Sequence, residues 1–205
     1  MEVITSLHDG YRRFRKGKYD QQSKLYAELA LGQEPDVMLI GCADSRADPA
    51  DIFDTSPGEL FTVRNVANLV APCPEKGSLD SLGTALEYAV CHLAVKHIVV
   101  MGHGGCGGVG ACLAAGQGPA NDAFISPWVA QLQPAKEEAL ASNPEDPQKA
   151  LEWQGVRQSV RNLESYPFVK EALQQGKLNL HGAWFLVGSG ELSWLDSCDG
   201  TFGAV

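Results

Sequence analysis

No apolar run in the sequence approaches the roughly 18 residues that a membrane-crossing helix needs, so no transmembrane segment is expected. Basic residues are in short supply: 16 Lys and Arg stand against 25 Asp and Glu, for a formal charge of −9. That balance argues against nucleic acid or an anionic membrane as the main partner. One basic run, Arg12 to Lys18, departs from it and reads as a solvated helix face or a contact to an acidic partner subunit. The N-terminal Met1-Glu2-Val3-Ile4-Thr5 lacks the charged and apolar regions of a secretory signal. The six cysteines, at 42, 73, 91, 106, 112 and 198, therefore lack the setting of a disulfide framework. They read as reduced thiols, some of them metal-bound, in a cytoplasmic protein. Repeats, low-complexity tracts and long linkers are missing too. With 205 residues, 44% of them apolar, the chain is expected to form a single α/β domain over 1–205, a helical arm at 1–34 and a core at 35–205.

What is present is an alternation of short apolar runs with helical patterns. Residues 3–31 have helical spacing, with Gly17 expected between two helices. Strands are predicted at 36–42, 60–64, 97–102 and 178–187, and an antiparallel return at 191–195 after Gly188-Ser189-Gly190. Helices are predicted at 49–54, where Asp48 caps and Pro49 opens, and at 79–95, with Leu79, Leu82, Leu86, Val90 and Leu93 on one face. Others fall at 106–115, 134–142, 148–164 and from Pro167 to 175, with proline-rich surface pieces across 116–148. The order implies an α/β fold: a mainly parallel sheet of four parallel strands plus an antiparallel edge strand, helices on both faces, and an N-terminal helical arm. Ligands of such sheets bind beyond the carboxyl ends of the strands, where strand order reverses.

Two motifs lie at predicted strand ends, Cys42-Ala43-Asp44-Ser45-Arg46 and His103-Gly104-Gly105-Cys106. Zinc prefers tetrahedral nitrogen and sulfur ligands, and three protein ligands with one position left over mark a catalytic rather than a structural site. Cys42, His103 and Cys106 supply that set. Cys106, at a helix N-terminus, is expected to have a lowered thiol pKa. Asp44 has two readings: it orients a zinc-bound hydroxide by a hydrogen bond, or it swings onto the metal. Arg46 can hold it in the first role by a charge-assisted bond. The run Gly102-His103-Gly104-Gly105-Cys106-Gly107 also has the form of a dinucleotide fingerprint. It stands after the third strand rather than the first, and no acidic residue ends the next strand. The other four histidines, at 8, 92, 97 and 181, read as structural.

Together with Phe61-Thr62-Val63-Arg64-Asn65-Val66-Ala67-Asn68, these motifs make the sequence resemble a β-class carbonic anhydrase over nearly its whole length. The resemblance implies one Zn2+ per subunit on Cys42, His103 and Cys106, with Asp44 and Arg46 as the catalytic pair. It implies reversible hydration of carbon dioxide to bicarbonate and a proton, by attack of a zinc-bound hydroxide that Asp44 and Arg46 orient. It further implies a homodimer or higher homo-oligomer joined through the N-terminal arm and sheet edge. The chain is similar to the plant-like subgroup, whose substrate-pocket Gln, Phe and Tyr are matched by Gln33, Phe61 and Tyr88. In that reading Gln33 donates a hydrogen bond to a substrate oxygen. Phe61, Val66 and Tyr88 form an apolar slot, partly from the neighbouring subunit, and Gly107 offers its backbone N–H. The other subgroup has a regulatory bicarbonate pocket of Trp, Arg and Tyr. Here Arg64 is present, but Leu39 and Phe185 replace the other two. An open site is therefore expected, with Asp44 bonded to Arg46. Rival readings are a carbonyl sulfide or carbon disulfide hydrolase using the same zinc, and a non-catalytic zinc-stabilised binding protein.

Overall fold

The computed structural model describes residues 2–75, 80–115 and 122–205. Leu79 and the 116–121 part of the proline-rich stretch, Pro119 included, lie outside the described residues. The chain divides into two compact units, Met1–Glu34 and Pro35–Val205.

The first unit holds α1 (Glu2–Phe14) and α2 (Ser23–Leu29). Gly17 does not separate them. It lies within a π-helical turn, Arg15–Tyr19, and the helix breaks at Gln22, whose φ and ψ are −106° and 22°. A single glycine costs a helix about 1 kcal/mol, which neighbouring contacts can offset. Here the rings of Phe14, Tyr19 and Tyr26 pack together, Tyr19 stacking on Tyr26 at 4.7 Å.

The second unit is built on a six-stranded sheet in the order β2-β1-β3-β4-β5-β6. Its strands are β1 (Val37–Cys42), β2 (Leu60–Asn65), β3 (His97–His103), β4 (Asn179–Leu186), β5 (Glu191–Leu195) and β6 (Phe202–Ala204). The first four run parallel, and β5 and β6 add antiparallel pairs. The sixth strand was not expected from the sequence. It is only three residues long, too short for a period-two pattern to show.

Helix starts follow capping chemistry. Asp48 accepts from Ala50 N–H ahead of α3 (Pro49–Ile52). Asp80 accepts from the N–H groups of Leu82 and Gly83 ahead of α4 (Ser81–Glu87). The helix predicted at 79–95 thus begins later and continues as a π turn, Tyr88–His92. After β3 come α5 (Gly107–Ala114), α6 (Ile125–Val129) and α7 (Gln133–Leu140). Then α8 (Pro147–Leu163) is capped by Asp146, and α9 (Pro167–Gln174) follows.

Alternation along the strands sorts the core. Met38, Ile40, Ile98 and Val100 meet Leu82, Leu86, Val156, Leu163 and Val169 from α4, α8 and α9. Leu39, Val99, Met101 and Ala183 turn to the other face, where Ile52 and Phe53, at the end of α3, and Leu192 and Trp194 of β5 pack against them. Within this unit α4, α8 and α9 thus cover one face of the sheet, and the end of α3 packs on the other. Strand order reverses between β1 and β3: β2 lies on one side of β1 and β3 on the other, and sheets of this kind bind ligands at the carboxyl ends of such a pair.

Candidate metal centre

Cys42 is the last residue of β1 and His103 the last of β3, and these strands are hydrogen-bonded neighbours. Cys106 stands at the N-cap of α5. Gly105, with φ of +68°, makes the turn that brings Cys106 back toward the strand end. All three side chains are buried, at 4%, 1% and 2% relative exposure. Their donor atoms lie within 4.8 Å of one another, and the two sulfurs are 3.9 Å apart. His103 Nδ1 is 3.1 Å from the Gly104 carbonyl, which places the ring proton on Nδ1 and leaves Nε2 as a lone pair. That Nε2 is buried with no hydrogen-bond partner. A buried, unpartnered imidazole nitrogen beside two sulfurs is costly alone and suits a thiophilic metal ion. The residues fit zinc.

The two thiols share one proton when no ion screens them. The Cys106 hydrogen bond, more than any other influence, pulls the Cys42 thiol far down, against its burial. The same bond pushes Cys106 up, and burial and the Cys42 charge push it further. Backbone N–H groups of Val109 and Gly108 do favour its thiolate, but the neighbouring thiolate outweighs them. Burial lowers His103, yet the closeness and charge of Cys42, the Gly104 carbonyl and the charge of Asp44 raise it overall.

Asp44 and Arg46 stand at the rim. Arg46 Nε donates to Asp44 Oδ1 at 2.9 Å and Nη2 to Oδ2 at 2.7 Å, and its backbone N–H reaches Oδ1 as well. These bonds hold the Asp44 carboxyl well below the usual carboxylate range. Nη2 also donates to the Gly105 carbonyl, tying the first motif to the second. Asp44 Oδ2 is 3.8 Å from His103 Nε2.

Two positioning contacts escaped the sequence reading. Arg64 on β2 donates to the carbonyls of Cys42 (2.8 Å) and Asp44 (2.7 Å) and pairs with Asp48. Its guanidinium thus sets the path of the loop that carries the first motif. Glu152 on α8, 3% exposed, accepts from the backbone N–H of Cys106 at 3.0 Å. Nothing local in the sequence marks either contact, since each partner is distant along the chain.

The substrate-pocket residues divide. Val66 follows β2 and Gly107 opens α5, both exposed near the metal group. The turn Val66–Asn68 is tight, with φ of 63° at Ala67 and 47° at Asn68. It packs so closely on α5 that a Cβ at Gly108 would come within 2.7 Å of Val66 Cγ1. Phe61 and Tyr88 pack on each other, with ring centroids 5.9 Å apart. Phe61, however, pairs with Met38 at the start of β1, whereas Asn65 pairs with Cys42 at its end. At about 3.3 Å per residue, the pair sits more than 10 Å along the sheet from the metal group of its own chain. Gln33 is an exposed residue of the first unit. Leu39 is buried in the sheet, and Phe185 is half-buried on β4.

Comparison with known proteins agrees with this geometry. Residues 37–192 match the family described as carbonic anhydrase. The chain is 34% identical over 209 residues to the mitochondrial β carbonic anhydrase 6 of Arabidopsis thaliana, covering 98% of this chain and 70% of that one. The structure of the β-carbonic anhydrase CcaA superposes with a TM-score of 0.93 at 27% identity, over 100% of this chain and 93% of the other. A tetrameric β-carbonic anhydrase of Sordaria macrospora superposes with a TM-score of 0.85 at 27% identity, over 100% of both chains.

Proposed function

The chain belongs to the β-class carbonic anhydrases, zinc enzymes that hydrate carbon dioxide, and on that footing we propose how its residues divide the work. The observation that carries the reading is the buried Cys42–His103–Cys106 group, its donor atoms within 4.8 Å, with the Asp44–Arg46 pair at its rim.

Cys42, His103 and Cys106 would hold the ion, and two thiolates would neutralise its charge. When bound, zinc supplies Lewis acidity, bringing the ionisation of water toward neutral pH. The Nδ1 contact with the Gly104 carbonyl keeps the His103 lone pair on Nε2. Asp44, held ionised by Arg46, is an acceptor only. It takes an O–H hydrogen bond from the attacking oxygen and turns a lone pair toward the carbon of carbon dioxide. Both Asp44 oxygens are engaged by Arg46, a grip that would keep the carboxylate off a bound zinc and leave the site in its open form.

Carbon dioxide is small and apolar and needs a lipophilic slot. Val66 and the Gly107 N–H serve it from the same chain. Phe61 and Tyr88 serve it from a second copy, since their own metal group is too far along the sheet. A homodimer or larger homo-oligomer follows, in keeping with the tetrameric relative. Gln33 is assigned as donor to a substrate oxygen, on its position nine residues before Cys42 in the family pattern. We assign the protein to the cytoplasm. Among the described residues no helix is long and apolar enough to cross a membrane, and all six cysteines are free.

Metal content and carbon dioxide hydration, measured on one sample, test the reading. One zinc per chain with rapid hydration is expected. Stoichiometric zinc without hydration, or hydrogen sulfide release from carbonyl sulfide outrunning hydration, would overturn it.

A further inference from the structure

Glu152 is a buried carboxylate that forms no ion pair with Lys, Arg or His among the described residues. An unpaired buried charge is expensive unless hydrogen bonds compensate it. Three donors do so here. Oε1 accepts from Cys106 N–H at 3.0 Å and from Gln148 Nε2 at 2.7 Å, and Oε2 accepts from Trp184 Nε1 at 3.0 Å. Gln148, one helical turn earlier on α8, also donates from Nε2 to the Cys106 carbonyl at 3.0 Å. The peptide groups on both sides of Cys106 are thus gripped from one face of α8.

That grip falls where the local chain cannot supply one. Cys106 is the N-cap of α5, and its side chain makes no capping hydrogen bond. The N–H of an N-cap residue has no intrahelical partner. The turn leading into it contains Gly104 and Gly105, which are conformationally permissive. The Cys106 carbonyl accepts from Gly110 N–H, and the N–H groups of Gly108 and Val109 face the sulfur, but the peptide that leads into Cys106 has no local acceptor for its N–H and depends on an external one.

We propose that Glu152, assisted by Gln148, is a positioning residue of the metal centre: through the N–H of Cys106 it holds that sulfur facing Cys42 and His103, and so sets how tightly the ion is bound. This rests on the ligand assignment made above. Trp184 anchors the far oxygen of Glu152. It meets Trp153 edge-on at 5.8 Å, and Trp153 stacks at 4.9 Å on Phe202 of β6. The unexpected sixth strand therefore buttresses the carboxylate from behind.

Competition with a chromophoric chelator measures zinc affinity directly, and cobalt(II) substitution reports thiolate coordination through its charge-transfer absorption. Glu152→Ala is expected to weaken zinc binding about 10–100-fold and to weaken or shift the cobalt–thiolate band. Glu152→Gln keeps one amide oxygen for Cys106 N–H and should recover most of the affinity. A folded Glu152→Ala protein binding zinc within twofold of the parent overturns the proposal. So does a Glu152→Gln protein that loses as much as the alanine variant. If Glu152→Ala does not fold, Gln148→Ala decides: a several-fold loss of zinc affinity in a folded protein supports the grip, and unchanged affinity overturns it. Failure of the ligand assignment looks different: the parent protein would take up no zinc, or Cys42→Ser would bind it unchanged.

Discussion

Arg46 grips Asp44 at both carboxylate oxygens, Nε to Oδ1 at 2.9 Å and Nη2 to Oδ2 at 2.7 Å, while Nη2 also reaches the carbonyl of Gly105. One guanidinium therefore fixes the carboxylate and the turn between two metal-binding residues. Lysine cannot copy this geometry, because a point-like ammonium makes no planar fork.

The first prediction concerns this pair. Asp44→Ala should keep zinc, since Asp44 is not among the three buried donors, yet lose about 10²-fold or more in kcat/KM, the scale of a misplaced reacting group. Arg46→Lys should fall nearly as far, with zinc retained. Stopped-flow carbon dioxide hydration beside metal analysis checks both. Full activity in the Asp44→Ala protein would refute the orienting role. The pH dependence follows from the lowered Asp44 pKa. With Arg46 present, Asp44 is ionised well below neutrality, so it contributes no acid limb to the rate profile above about pH 5.

The second prediction concerns the metal. Cys42→Ser and His103→Ala should each lose zinc and activity together. Stripping zinc with a chelator should lower the Tm of the parent protein, because an ion that binds only the folded chain adds its binding free energy to stability. The buried His103 Nε2 would lose its partner, and the two sulfurs would return to sharing one proton. A Tm unmoved by chelation, with zinc shown to have left, would contradict this.

How far the sequence foretold these features depends on whether the cause was local. Cys42 and His103 end apolar strands and Cys106 follows a glycine turn, so ligand type and strand-end position together located the metal group. The helix caps Asp48 and Pro49 were equally plain. Glu152 was not, because a lone acid on a helix is ordinarily solvated. Only the packing of α8 under the β3–α5 turn buries it. The influence of Cys42 on Cys106 was hidden for the same reason. The helix N-terminus is local and visible, whereas the thiolate of Cys42 is 64 residues away and dominates. Gly17 misled in the opposite sense, a strong local signal that aromatic packing around Phe14, Tyr19 and Tyr26 overrides.

The third prediction tests the two-copy slot. Tyr88→Ala and Cys42→Ser should each be poorly active alone, the first with zinc and the second without. Mixed and reassembled, they form hybrids in which the metal group of the Tyr88→Ala chain faces the intact Phe61–Tyr88 pair of the Cys42→Ser chain. Hydration should then rise above the sum of the separate proteins. No recovery, with subunit exchange demonstrated, would mean that Phe61 and Tyr88 act within their own chain or not at all.

The fourth prediction concerns stability at the other end of the sheet. His97 and His181 were read singly as structural, yet they partner each other across β3 and β4, Nδ1 to Nε2 at 3.1 Å, with Trp194 5.7 Å from His181. Burial, and then the neighbouring His97, holds His181 below the usual histidine range. The folded protein therefore resists a proton that the unfolded chain accepts. Above a pH of about 6.5 both states are neutral at this residue and its contribution is complete. As the pH falls, the unfolded state binds the proton first, and stability drops until the folded-state pKa is passed. Thermal unfolding of the parent should show Tm declining as pH falls from about 6.5 toward 5. His181→Gln keeps a hydrogen-bonding side chain without a titrating ring, and should flatten that part of the curve. Asp44 cannot mimic the effect, because its depressed pKa places its own stability loss at far more acid pH. Identical slopes for parent and variant over this window would show that the folded state accepts a proton at His181 as readily as the unfolded chain does.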